Sequence, residues 1–182
     1  KVNWVDSISY SMWAGYCVER NGKYYFYFPA NTNIAGPTGR KGFGIGVAVA
    51  DKPEGPYIPQ ETPIKGVPGI DPNVFIDKDG QTYLLWSMGR IFIAKLKDNM
   101  LELTSETREV KDIPKKGLVE GPFMFERNGI YYITYPHVEN TIERLEYAMG
   151  DNPMGPFRFA GVIIDEAPNG CWTNHHSIID YK

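Results

Sequence analysis

Cysteine is scarce in this chain: 182 residues hold two, Cys17 and Cys171, which form neither a disulfide framework nor a metal-site spacing. Both have aromatic or apolar neighbours, so both are expected to be buried free thiols. There is no basic excess. Nineteen Lys and Arg against 22 Asp and Glu leave a net charge of −3, and no Lys/Arg cluster offsets it, which argues against a nucleic-acid partner. No apolar run approaches the roughly 20 residues of a membrane span, and the opening Lys1-Val2-Asn3-Trp4-Val5 has no signal-peptide pattern. Both termini read as cut, because the chain stops inside a strand-like run, Ile178-Ile179-Asp180-Tyr181-Lys182.

What is abundant points to strands and turns. Nineteen Gly, 14 Pro and a 14% aromatic share with 12 Tyr suit a β-rich chain with many reversals. Three segments share one pattern: an apolar run, an Asn-Gly or Asp-Gly turn, and an aromatic strand. They are Cys17–Phe28 around Asn21-Gly22, Val74–Trp86 around Asp79-Gly80, and Met124–Tyr135 around Asn128-Gly129. A third strand follows each, at Ile45–Ala50, Ile91–Lys95 and Leu145–Met149, and weaker fourth strands are read at Thr107–Val110 and Phe157–Ile163. Asp51-Lys52-Pro53-Glu54-Gly55-Pro56-Tyr57 is nearly repeated as Asp151-Asn152-Pro153-Met154-Gly155-Pro156-Phe157, a loop leading to an outer strand.

Four-stranded antiparallel meanders repeating every 50 to 60 residues are the mark of propeller blades. The predicted fold is an all-β, incomplete β-propeller in one domain spanning 1–182. It has a blade tail at 1–12, blades at about 13–66, 67–115 and 116–170, and the start of a further blade at 171–182. A β-sandwich with chance similarity between hairpins is the competing fold.

Asp71 precedes Asp79 by eight residues, and Glu120 precedes Asn128 by eight. Matching positions in blades converge on the axis, so a ring of Trp13, Asp71, Glu120 and Asn174 or His175 is expected there. An aromatic face, paired carboxylates and an amide or imidazole suit a sugar pocket, and paired carboxylates are glycosidase equipment. Alternation along a strand should turn one of His175 and His176 into the channel, and the spacing to Ser177 favours His175. Glu19, Asp77 and Glu126, beside the turns, read as solvated, and His137 fits either a loop or the pocket rim.

Asp71-Pro72-Asn73-Val74-Phe75-Ile76-Asp77, Glu120-Gly121-Pro122-Phe123 and Asn174-His175-His176-Ser177-Ile178 follow one another in that order, with Trp13-Ala14 opening a blade. Together these motifs resemble glycoside hydrolase family 43, the five-bladed propeller family of α-L-arabinofuranosidases, β-xylosidases and arabinanases. The resemblance covers essentially the whole chain. The invertase-like clan is less similar, since it would carry Arg-Asp-Pro and Glu-Cys at Ile70-Asp71-Pro72 and Glu120-Gly121.

The resemblance implies inverting hydrolysis of α-L-arabinofuranosidic or β-D-xylosidic bonds in plant oligo- or polysaccharides. Glu120 matches the general acid, and Asp71 the residue that raises the acid's pKa and holds it. Trp13, Asn174 and His175 would bind sugar. His175 also matches a channel histidine that meets a calcium ion or water cluster on the axis, and no other cofactor is required. The general base should be an Asp in an Asp-Pro context in the blade before Trp13, where this sequence has 12 residues and only Asp6, without that context. The base and the rest of the fifth blade are therefore expected outside these residues, leaving the isolated chain nearly inactive. Export to the periplasm or beyond follows by analogy. A non-catalytic carbohydrate-binding propeller and a protein-interaction scaffold are the competing functions.

Overall fold

The three hairpins form where the turn dipeptides predict them, and they close in two different ways. The computed structural model describes residues 2–33, 42–170 and 172–179. Asn21 (φ 53°) with Gly22 (74°), and Asn128 (54°) with Gly129 (80°), are left-handed pairs that make two-residue loops. Glu19 and Glu126 are not merely solvated, because they accept the Gly22 and Gly129 N–H groups at 2.7 and 2.5 Å. In the middle turn only Gly80 (83°) is left-handed. Asp77 N–H reaches Gln81 O and Gly80 N–H reaches Asp77 O, both at 2.9 Å, so the loop has three residues, 78–80. Asp77 is also engaged, since its Oδ2 accepts the Tyr131 hydroxyl at 2.7 Å.

Each hairpin grows into an antiparallel sheet. The first orders β1 (Tyr16–Arg20), β2 (Lys23–Asn31), β3 (Phe43–Ala50) and β4 (Ile58–Pro59). The second orders β5 (Ile70–Ile76), β6 (Thr82–Ser87), β7 (Ile91–Lys95) and β8 (Arg108–Glu109). In the third, β9 (Leu118–Val119) pairs with β11, and β10 (Phe123–Arg127), β11 (Ile130–Val138), β12 (Glu143–Gly150) and β13 (Arg158–Ile164) follow in order. Among the described residues there is no helix. Thus the chain folds as successive four-stranded blades, as expected.

Blade stacking explains why β6, Thr82–Ser87, is buried at every position. Leu84 and Trp86 face the first blade and join Tyr27, Ile45 and Val47, whereas Tyr83 and Leu85 face the third and join Met124, Ile133 and Tyr135. Period-two alternation feeds two cores from one strand. Shortening Leu84 to Ala should cost about 2 to 5 kcal/mol. The inner strand β5 touches both β1 and β10, so β1, β5 and β10 are neighbours around the axis. Trp4 packs on Phe28 and Ala48, on the other face of the first sheet.

Three expectations change. Cys17 is exposed, because β1 packs Tyr16 and Val18 on the second blade and turns Cys17 the other way. The strand expected at 174–179 has no ladder partner, so the described part, 172–179, lies along the third blade without strand pairing. His137 is neither loop nor rim, being buried in β11 with Nδ1 2.9 Å from Glu146 Oε1 and Nε2 2.8 Å from Lys116 O. Cys171 lies outside the described residues.

Candidate active site

Both acids stand where a β-bulge interrupts the inner edge of a blade. In the second blade Ile70 pairs with Ser87 and Asn73 with Leu85, so Asp71 and Pro72 oppose the single residue Trp86. In the third, Val119 pairs with His137 and Phe123 with Thr134, so Glu120, Gly121 and Pro122 oppose Tyr135 and Pro136. A bulge releases its residues from the ladder and re-aims their side chains.

Asp71 (φ 53°) and Gly121 (φ 52°) are both left-handed and both precede a proline, so these two positions correspond, and Glu120 stands one residue earlier. The equal eight-residue offsets arise because the 78–80 loop is one residue longer than the 128–129 loop. The acids are neighbours at one rim rather than equivalents in a repeat.

That offset gives Asp71 a specific contact. Its Oδ2 accepts the Gly121 N–H and the Ser87 hydroxyl, both at 3.0 Å, with the carboxylate buried. On its other side Glu120 N–H bonds to Pro136 O at 3.2 Å. The backbone around Glu120 is therefore clamped, and glycine suits position 121, because a Cβ there would add left-handed strain and stand 3.1 Å from Pro136 Cδ.

Glu120 is half-buried, and its carboxyl is pushed up to about 8. Burial is the largest cause, followed by a hydrogen bond with Glu143 and then the charges of Asp71 and Glu143. A carboxyl held protonated through neutrality can donate a proton. Glu143 was not singled out in the sequence. Its signal is a glutamate at the head of β12, paired with Val138 on the face that also carries Leu145.

A cavity of about 310 Å³ opens between the inner strands, lined by Tyr16, Pro72, Asn73, Pro122, Phe123 and the 175–177 segment, among others. Pro72 and Pro122 adjoin Asp71 and Gly121, so the cavity lies beside the acid rim. Asn73 Oδ1 accepts Met124 N–H at 3.0 Å and ties the second blade to the third. His175 lines the cavity near Gly121. His176 turns to the third blade, with Nε2 against Thr134 Oγ1, and burial and the charge of His175 lower its pKa to about 4. Asn174 is drawn to Glu143, donating its N–H to Oε2 and its Nδ2–H to the carbonyl at 3.1 Å. Trp13 is 60% exposed against Phe43, with ring centroids 5.0 Å apart, and is absent from the lining of this cavity.

The calcium that the resemblance implies would meet His175 through water rather than sit in a cage of protein side chains. Among the described residues no three His, Cys, Asp or Glu side chains cluster to hold a cation. No helix among them is long and apolar enough to cross a membrane.

The family model described as Glycosyl hydrolases family 43 matches residues 2–181. The chain belongs to glycosyl hydrolase family 43. A beta-xylosidase of Xylanibacter ruminicola is 34% identical, with 100% of this chain and 64% of the relative covered. A xylosidase/arabinosidase 43A of Humicola insolens is 35% identical, with 100% and 66% covered. Among solved structures, CoXyl43, a GH43 beta-xylosidase/alpha-arabinofuranosidase from a compost microbial metagenome, was determined with xylotriose in a calcium-free form. It superposes with TM-score 0.83 at 31% identity, covering 98% of this chain and 63% of that one. The GH43_1 enzyme of Xanthomonas citri complexed with xylose gives TM-score 0.82 at 30% identity, covering 99% and 62%. The chain thus spans less than two-thirds of these relatives' length, and its three sheets are blades of the family's five-bladed propeller.

Proposed function

We propose that the complete protein hydrolyses β-D-xylosidic or α-L-arabinofuranosidic bonds in plant oligo- or polysaccharides with inversion, and that Glu120 is its general acid. The observation that carries this reading is a half-buried carboxyl, held protonated at neutral pH, on a backbone clamped from the second blade. The names of the relatives, and the xylose and xylotriose bound to the solved neighbours, support the sugar class.

In this mechanism Glu120 gives its proton to the glycosidic oxygen as the bond to the anomeric carbon breaks. Asp71 holds the Gly121 N–H and, by its charge, keeps the proton on Glu120 until the leaving oxygen takes it. Once deprotonated, Glu120 faces two other carboxylates, which favours its reprotonation from solvent. Asn174 and His175 flank the carboxyls and offer an amide and an imidazole to sugar hydroxyls, and Trp13 offers a ring face at the same end of the first blade. An inverting reaction also needs a base acting on water, roughly 6.5–9.5 Å from the acid. Asp6 lacks the Asp-Pro context of such a base, and its Oδ1 is tied locally to the N–H groups of Ile8 and Ser9 at 2.8 and 3.1 Å. The base belongs to the part of the relatives' length that this chain does not match.

The test compares two substrates in the complete protein. Glu120→Gln should lower turnover of xylobiose or arabinobiose by about 10²- to 10⁴-fold. It should lower turnover of the matching 4-nitrophenyl glycoside, whose leaving group scarcely needs a proton, far less. Equal losses on both would remove Glu120 from the acid role.

A further inference from the structure

The buried Glu143 carboxylate has no role in the family resemblance. It is fully buried at the head of β12. Oε2 takes the Asn174 N–H, while Oε1 is buried without a hydrogen-bond partner among the described residues. Among the described residues no Lys or Arg pairs with it, whereas Glu146 on the same strand meets Arg144. A buried carboxylate oxygen without a donor costs several kcal/mol unless something supplies one.

The neighbour that can supply it is Glu120. Two carboxyls hydrogen-bond only when one of them carries a proton, and Glu143 is the carboxyl placed to accept from a protonated Glu120. Pairing fixes their relation. Val138 pairs with Glu143 and, one position further along β9, with Leu118, while Glu120 N–H bonds to Pro136 O on the same face of β11 as Val138. The titratable groups nearest the pair are Asp71 from β5, whose charge acts on Glu120, and His175 from the 172–179 segment, beside Gly121.

We propose that Glu143 is a positioning residue for the acid: it accepts the proton of Glu120 in a hydrogen bond, which selects the oxygen that carries the proton and holds it until a glycosidic oxygen displaces Glu143 as the acceptor. No new covalent step is involved. The proton stays on Glu120 until it passes to the leaving oxygen, and Glu143 returns as its partner after reprotonation. This rests on the reading of Glu120 as the acid.

The experiment is the pH dependence of kcat/KM for xylobiose or arabinobiose in the complete protein with Glu143→Gln. Gln keeps the shape and the acceptor for Asn174 N–H but removes a like charge, so the acid becomes easier to ionise. The alkaline limb should move down by about one pH unit, with kcat falling more on the disaccharide than on the 4-nitrophenyl glycoside. An alkaline limb and substrate ratio unchanged from wild type would overturn the proposal. If Glu143→Gln does not fold, carboxyl ¹³C titration of the wild-type protein decides, with Glu120 assigned from Glu120→Gln. A proton held against Glu143 keeps the Glu120 carboxyl protonated through neutrality, and a Glu120 midpoint at the ordinary carboxyl value of 4.5 overturns it. Failure of the underlying reading is distinguishable, since Glu120→Gln would then lose both substrates equally whatever Glu143→Gln does.

Discussion

Strand β12 carries two glutamates of equal burial and opposite surroundings, Glu143 and Glu146, both 0% exposed. Glu146 faces the second blade, where Oε1 meets Arg144 Nε and His137 Nδ1 and the Tyr135 phenol stands alongside. Arg144 extends the network to Glu139 at 3.0 Å. Glu143 faces the other way and finds an amide N–H and another acid. The first arrangement neutralises charge and locks a sheet. The second leaves charge uncompensated and transfers the consequence to Glu120, whose proton is retained. Equal burial therefore does not imply an equal role; the partners decide it.

The comparison breaks most visibly through Glu146. Glu146→Ala should lower the unfolding free energy of the complete protein by about 3 to 5 kcal/mol, because Arg144 and His137 are left in a buried site without their acceptor. Urea unfolding checks this, and the alkaline limb of the pH profile should stay in place. Glu143→Gln should do the reverse, moving the limb while costing under about 1 kcal/mol, as the Asn174 bond survives.

Asp71→Asn sharpens the same contrast at the second blade. An amide oxygen can still accept from Gly121 and Ser87, so the backbone clamp persists while the charge beside Glu120 is lost. The alkaline limb should move down, and by less than with Glu143→Gln, because Glu143 both bonds to the acid and repels its charge.

A smaller effect concerns His176. Its folded pKa, near 4, lies below the ordinary value of 6.5, so its neutral form contributes stability that is present above 6.5 and is lost as pH falls through about 4. The wild-type melting temperature should therefore drop more steeply across that window than that of His176→Gln. Smallest of all, Lys78→Ala removes a 2.6 Å pair with Glu126 that is exposed at the lysine end, and should change stability by at most about 1 kcal/mol.

Local chemistry made much of this fold legible in the sequence. Asn21-Gly22 and Asn128-Gly129 demand left-handed turns, and Ile91–Lys95 emerged as a strand with the bounds expected of it. Less legible was the register. The eight-residue offset made Asp71 and Glu120 appear equivalent, whereas one extra residue at 78–80 shifts the correspondence to Asp71 and Gly121. Loop length trades against bulge position, and sequence spacing alone cannot separate the two. Glu143 was hidden for a related reason. In Glu143-Arg144-Leu145-Glu146 charged residues fall on both faces of the strand, and only the paired neighbours show which glutamate meets a cation and which meets an acid. Strand pairing was equally decisive for 172–179, whose apolar Ile178 and Ile179 read as a strand but have no partner among the described residues.

The most direct test of Glu120 as a proton donor kept protonated by its surroundings is the alkaline limb of kcat/KM for xylobiose or arabinobiose in the complete wild-type protein. The account predicts activity sustained through neutrality and falling with a midpoint near 8, where Glu120 loses its proton. A limb already falling near the ordinary carboxyl value of 4.5 would contradict it.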